Sequence, residues 1–303
     1  MSTVSKTAGA VVLAGAGVLA WSLVEARSYT VRQLTAPVLP PGTKPVRILH
    51  FSDLHVTPTQ QGKLEWISSL AAFRPDLVVD TGDNLAHEDA VPAVLDALEP
   101  LLEFPGVFVH GSNDYYGPRA KNPLKYLRAP TKVREGSRPL DHEALTRGLT
   151  GGGWLDLNNA RGELEIQGHR LSFAGLDDPH LNRDVLPEAS EDQGDLRIGV
   201  VHAPYVRALD ALHADGAEII LAGHTHGGQV CVPGYGALVT NCDLDTERAK
   251  GLHGWPGARP DMPGGEDSAW LHVSAGVGTS PYTPVRLACR PEATLLTLMP
   301  RQA

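Results

Sequence analysis

Five blocks rich in Asp, Asn and His recur along the chain, each directly after an apolar, strand-like run. They are Asp53-Leu54-His55, Gly82-Asp83-Asn84, Gly111-Ser112-Asn113-Asp114, His202-Ala203-Pro204 and Gly223-His224-Thr225-His226. Ligands in open sheets collect in the loops outside the carboxyl ends of strands. A chain that repeats polar loops there five times is therefore constrained to bring several strand ends to one edge. Carboxylate, imidazole and amide side chains in that number can hold two metal ions, whereas separate structural reasons would have to be found for each block.

The runs between the blocks set the fold class. Val46 to Phe51 reads as a buried strand, Lys63 to Phe73 has apolar residues at helical spacing (Leu64, Ile67, Leu70, Ala71), and Leu77 to Val79 is the next strand. Val91 to Leu102 reads as helix and Val107 to Val109 as strand. Two βα units followed by a third strand argue for a mostly parallel sheet flanked by helices. The second half is richer in strands: Glu163 to Ile166 and Arg170 to Ala174 form a hairpin about Gln167-Gly168, and Leu196 to Val201, Ile219 to Leu221, Trp270 to Val273 and Ala293 to Leu298 follow. Residues 251–267, with His253, Trp255 and several Pro and Gly, read as a lid or a slack loop.

The chain divides into 1–27, a membrane anchor or signal segment; 28–43, a linker; and 44–303, a catalytic domain. Ala8 to Val24 is free of charge for seventeen residues, about 26 Å of helix and marginally enough for a hydrocarbon core. Val24-Glu25-Ala26 also offers a signal-cleavage pattern. An uncleaved, single-pass transmembrane helix in the cell membrane is preferred to export after cleavage, because the run is long for a signal peptide. The flanking charges leave the orientation open. Pro37, Pro40, Pro41 and Gly42 give the linker its extended character.

A net charge of −9 argues against a nucleic-acid partner. One segment runs the other way: Tyr115 to Arg138 has seven Lys and Arg against Glu135 alone, about +6. Placed after the Asn113-Asp114 block, it is either a solvated loop or an electropositive rim for a phosphorylated small molecule or an anionic lipid. Cys231, Cys242 and Cys289 are widely spaced and read as buried small hydrophobes. His50 and His110 precede their motifs on strands and read as structural, and Arg286 is a candidate for reaching a phosphate. No obligate protein partner is implied.

From Pro45 to Pro300 the chain resembles the calcineurin-like metallophosphoesterases. Their motif series is Asp-x-His, Gly-Asp, Gly-Asn-His-Asp/Glu, a lone His and Gly-His-x-His. Gly-His-Thr-His-Gly-Gly-Gln at 223–229 is most similar to the membrane-associated or exported bacterial branch. The resemblance implies a four-layer α/β/β/α sandwich and a hydrolase that uses two divalent ions (Mn, Fe or Zn) to activate water for in-line attack at phosphorus. It implies that Asp53, His55 and His226 hold the first ion, that Asp83 bridges, and that Asn113, His202 and His224 hold the second.

One block departs from the pattern. Aligned without a gap, Ser112 takes the place of the amide ligand and Asn113 that of the histidine credited with protonating the leaving group. Sliding by one residue keeps Asn113 as ligand and puts Asp114 at the acid position, which is the reading preferred here because an amide oxygen is the better neutral ligand for a hard cation. The catalytic set is then Asp114, Asn113 and His202. Either way the customary acid histidine is missing: a buried Asp114 with a raised pKa substitutes for it, or the leaving group departs without a proton, which favours acidic leaving groups such as those of pyrophosphates. A phosphohydrolase of diesters, pyrophosphates or monoesters is the expectation, with a lipid-linked substrate as one candidate; the alternative is a catalytically weak or inactive binding module on the same fold.

Overall fold

The computed structural model of the protein describes residues 3–119, 137–189 and 194–302. Two six-stranded sheets carry the fold. In the first the order is β1 (Thr30–Leu39), β14 (Glu292–Pro300), β2 (Val46–Phe51), β3 (Leu77–Asp80), β4 (Gly106–Phe108) and β5 (Leu155–Asp156). In the second it is β12 (Gly251–Trp255), β13 (Ala269–Val273), β9 (Ile219–Ala222), β8 (Leu196–Val201), β7 (His169–Leu176) and β6 (Arg161–Ile166). The strands β2 to β5 are parallel, as are β7, β8, β9 and β13. A small hairpin, β10 (Cys231–Val232) and β11 (Gly236–Ala237), stands apart from both.

Alternation along each strand builds the layers. Val46, Ile48, Leu77 and Val79 point from the first sheet into a core shared with Phe173, Ile198, Val200, Ile219, Leu221 and Trp270 of the second. The other faces, Leu49, Phe51, Val78 and Phe108, pack with the helical residues Ile67, Val94, Leu98 and Leu145. These come from α2 (Gln61–Ser69), α3 (Ala90–Leu98) and α4 (His142–Gly151). On the far side, Ala174, Val201 and Ile220 pack with Leu209 and Leu212 of α5 (Val206–Ala214). The result is the expected helix–sheet–sheet–helix sandwich. Burial on both faces explains why these strands read as continuous apolar runs.

Three expectations change. Residues 30–39, read as a linker, form β1, paired in parallel with β14 over nine positions. Its alternating pattern and edge position let it hold Pro37 without breaking the sheet. At the N-terminus, α1 (Thr3–Glu25) is helical, but among the described residues no helix is long and apolar enough to cross a membrane. The transmembrane expectation is corrected to a helix whose last turn is docked: Arg286 N donates to Ser22 O, and the buried Glu25 carboxylate accepts from Ala288 N and Cys289 N. Within the 251–267 loop, residues 251–255 are strand β12. Most of the basic segment, 120–136, lies outside the described residues; at its edge Arg138 pairs with Glu88.

His50 and His272 meet inside the sandwich, Nδ1 to Nδ1 at 2.7 Å, and Thr81 Oγ1 lies 3.0 Å from His50 Nε2. Burial holds both imidazoles neutral, His272 at a pKa of about 3 and His50 well below its ordinary value. Their folded pKa values lie below the unfolded value, so the unfolded chain takes up the extra protons on acidification. Stability from this pair is complete above about pH 6.5 and falls below it, by about 1.4 kcal/mol per pH unit for each extra proton. Denaturant midpoints between pH 7 and pH 4 should therefore drop steeply in the wild type. A His50→Leu/His272→Leu double variant should show a shallower drop, and an equal drop in both proteins would remove this pair as the cause.

Candidate metal centre

The carboxyl ends of the parallel strands of both sheets open on one edge, and the polar blocks stand there. Asp53 follows β2, Asp83 follows β3, Asn113 follows β4, His202 follows β8 and His224 follows β9. The loops are tied across strands by backbone hydrogen bonds: Asp53 N to Gly82 O, His55 N to Asp83 O, Gly223 N to His202 O, and Gly278 N to Asp53 O. Asp53, His55, Asp83, His224 and His226 all have positive φ, between 41° and 70°. Such conformations are uncommon for non-glycine residues and gather at functional sites whose surroundings over-determine them. Gly276, at φ 72°, passes so close that an added Cβ would lie 2.8 Å from Asp53 Cβ, so backbone alone roofs this carboxylate.

Two groups of ligand atoms converge. Asp53, His55 and His226 form one; Asp53, Asp83 and His202 form the other, each within 4.8 Å. His226 Nε2 is 3.1 Å from His55 Nε2 and 3.3 Å from Asp53 Oδ1. His55 Nε2 is 3.7 Å from Asp83 Oδ2, and His202 Nε2 is 3.5 Å from Asp83 Oδ1. Asp83 thus faces both halves, as a bridging carboxylate would. All five residues are buried, and among the described residues Asp53 Oδ1, His55 Nδ1 and His202 Nε2 find no hydrogen-bond partner. Buried polar atoms left this way call for a ligand or ion. This donor set, with two imidazole nitrogens facing each other and carboxylate oxygens beside them, fits divalent cations.

Charge interactions inside the cluster match that fit. Burial would raise the Asp53 pKa, but the His226 imidazole overrides it and holds the carboxyl well below the usual range. Burial would likewise lower His202, and Asp83 beside it instead raises the imidazole well above its ordinary value. Burial takes His55 down to about 4 and lowers His224 strongly, leaving both as neutral imidazoles suited to coordination.

The remaining candidates are placed less directly. Asn113 touches Asp83 twice, through its backbone N at 2.7 Å and Nδ2 at 2.6 Å. Turning the amide by 180° would present its oxygen to the same place. His224 stacks edge-on against His202, 5.2 Å between centroids, and its Nε2 lies 3.2 Å from Asn241 O, outside the two groups. Arg286 is fully buried and does not reach out to a phosphate. Its Nη2 donates to Ala275 O, Gly276 O and Gly278 O, and lies 3.5 Å from His226 Nδ1. Cys231 and Cys289 are buried against the carbonyls of Gly227 and His226.

Asp114 does different work from that of an acid. Its two oxygens accept from four backbone N–H groups: Asp83, Gly111, Asn84 and Leu85, at 2.8 to 3.2 Å. His110 Nδ1 lies 3.6 Å away, and Asp114 outweighs burial to raise that imidazole's pKa. The carboxylate is therefore turned from the metal ligands' open side and anchors the loops that carry them. Two residues escaped the sequence reading. Lys63 is buried and donates to Leu54 O and His55 O, with burial lowering its pKa to about 7. Asp178, after β7, is the other; a paired Asp-Asp at the end of an apolar run was the available signal.

A family model described as calcineurin-like phosphoesterase matches residues 46–228. YpbG of Bacillus subtilis (strain 168) is 29% identical over 300 residues, covering 97% of this chain and 96% of its own length. The metallophosphoesterase YkuE of the same organism is 26% identical over 285 residues, with 91% and 86% covered. Phosphodiesterase YaeI of Escherichia coli (strain K12) is 27% identical over 262 residues, with 84% and 83% covered.

If Asp114 is the loop anchor, Asp114→Ala leaves four buried N–H groups unsatisfied and should cost about 3 kcal/mol or more, with retained metal falling in step. Unchanged thermal stability alongside a lost reaction rate would instead make Asp114 a proton donor. Both are read from unfolding curves and bound-metal analysis on one preparation.

Proposed function

The chain belongs to the calcineurin-like phosphoesterase family, a family of hydrolases, and from that premise we propose that it cleaves phosphodiester or pyrophosphate bonds with two divalent cations. The observation that carries this reading is the pair of ligand groups sharing Asp53 and flanking Asp83. Cations held there would supply a water of lowered pKa and offset charge on the phosphoryl oxygens. The chain's own part is to hold the ligands in a buried, strained and tied edge. His55 and His224 stay neutral, and Arg286 and Lys63 fix the carbonyls behind His226 and His55. The name of YaeI supports the diester class by similarity.

No histidine stands at 112 or 113, and Asp114 is committed to backbone N–H groups. The leaving group is then expected to depart with little protonation, so rates should depend strongly on its acidity. The test uses the full chain, chelated and then given Mn²⁺, with aryl phosphodiesters of graded leaving-group pKa and an aryl phosphomonoester. Turnover should return with Mn²⁺, rise with leaving-group acidity and favour the diester. His226→Ala should lose about 100-fold or more. Metal-independent turnover, or a flat leaving-group series, would sink the reading.

We also propose that the enzyme works at a lipid surface on a lipid-linked phosphate. Val12, Leu13, Val18, Leu19, Trp21 and Val24 of α1 are exposed, and contiguous exposed apolar surface marks a site of interaction with a membrane or a protein. Co-sedimentation with anionic vesicles should be lost when Leu13, Leu19 and Trp21 are replaced by Ser. Equal sedimentation of the two proteins would end this part of the proposal.

A further inference from the structure

The edge that carries the five blocks holds a sixth. Strand β7 ends at Leu176 and is followed by Asp177, Asp178, Pro179 and His180. Asp177 is occupied: Tyr115 Oη donates to its Oδ1 at 2.8 Å and Arg183 Nε to its Oδ2 at 2.7 Å. Asp178 differs. It is fully buried, its Oδ1 accepts from His180 N at 3.0 Å, and its Oδ2 has no partner among the described residues.

The position of Asp178 gives that vacant oxygen meaning. Strand β7 is hydrogen-bonded to β8, whose end carries His202. The register sets Leu176 against Val201, so Asp178 and His202 leave neighbouring strand ends, and the charged groups that bear most on Asp178 are His202 and Asp83. Two residues on, the His180 ring lies 4.9 Å from that of His224, and its Nδ1 meets Tyr205 Oη at 3.0 Å. Residues 178–180 therefore back both imidazoles, His202 and His224, that the family resemblance gives to the second cation.

That half of the site has no carboxylate to itself. Asp53 belongs to both groups, Asp83 also faces His55 of the first, and the 111–114 block contributes only the neutral Asn113, because Asp114 faces backbone N–H groups. A buried carboxyl nearby is effective in compensating, since charge interactions are little screened at such a position. We propose that Asp178 is a positioning residue for the second cation, its carboxylate standing behind His202 and Asp83 and setting how tightly that half of the site holds a divalent ion. This rests on the two-metal reading and adds to it an acidic residue outside the five blocks.

The test is calorimetric titration of Mn²⁺ into the full-length metal-free protein, for wild type, Asp178→Asn and Asp177→Asn. Electron paramagnetic resonance is recorded at one and two equivalents. The wild type should bind two ions. In Asp178→Asn the weaker event should weaken by about 10–100-fold and the tighter stay within about 2-fold. The signal of spin-coupled manganese pairs should give way to that of isolated ions. Asp177→Asn should leave both constants unchanged, and metal-free melting temperatures establish that each variant folds. Unchanged constants and coupling in folded Asp178→Asn would overturn the proposal while leaving the two-metal reading intact. An equal loss at both events would overturn it as well. A wild type that binds no Mn²⁺ would overturn the two-metal reading and this inference together.

Discussion

One buried carboxylate organises the middle of this molecule. Asp114 collects the N–H groups of Gly111, Asp83, Asn84 and Leu85, and so converts two loops from separate sheet strands into one rigid piece. Without such an acceptor, four donors at the end of a buried sheet would have neither water nor ladder partners. The left-handed conformation of Asp83 persists because its amide is captured there, and Asn113 reaches Asp83 because its own loop is held to the same anchor. Ligand geometry at this edge is thus a property of the backbone network before any ion is considered.

The second constraint is the thickness of the sandwich. Two sheets with parallel strands place all their carboxyl ends on one side only if both run in register, and the shared apolar core enforces that. The His50–His272 contact sits within this layer, three residues before Asp53 and two before Ser274. Polar groups so deep are tolerated because each Nδ1 finds the other, which fixes the relative height of β2 and β13. Small sliding of one sheet would separate His202 and His226 from Asp53 and Asp83 at once.

How much of this the sequence carried follows from how local each signal is. Apolar runs of three to six residues marked β2, β3, β8, β9 and β13, since a strand buried on both faces writes itself into consecutive positions. The Asp-x-His and Gly-His-x-His blocks were legible because adjacent ligands must be close in sequence to turn toward one point. Strand β1 was read as a linker: its prolines dominate the local pattern, and its partner β14 lies at the other end of the chain. Asp114 was assigned an acid's place because spacing shows which residues neighbour a ligand, not which way a carboxylate turns. Arg286 and Lys63 were opaque for the same reason; their acceptors are backbone carbonyls, which no sequence pattern displays. Asp178 and His180 have the Asp-x-His spacing of the first block, but Asp178 drew no reading because nothing local shows that β7 ends beside the strand that carries His202.

Arg286 joins two regions that a domain diagram would separate. Its backbone N–H is held by Ser22 O in the last turn of α1, while its guanidinium grips the carbonyls beside Asp53 and approaches His226. Glu25 closes the same joint on Ala288 and Cys289. The N-terminal segment is consequently a buttress as well as an appendage. A chain trimmed at residue 28 loses three acceptors behind a metal ligand, so a fall in its activity would report a loosened hinge pin rather than a missing address label.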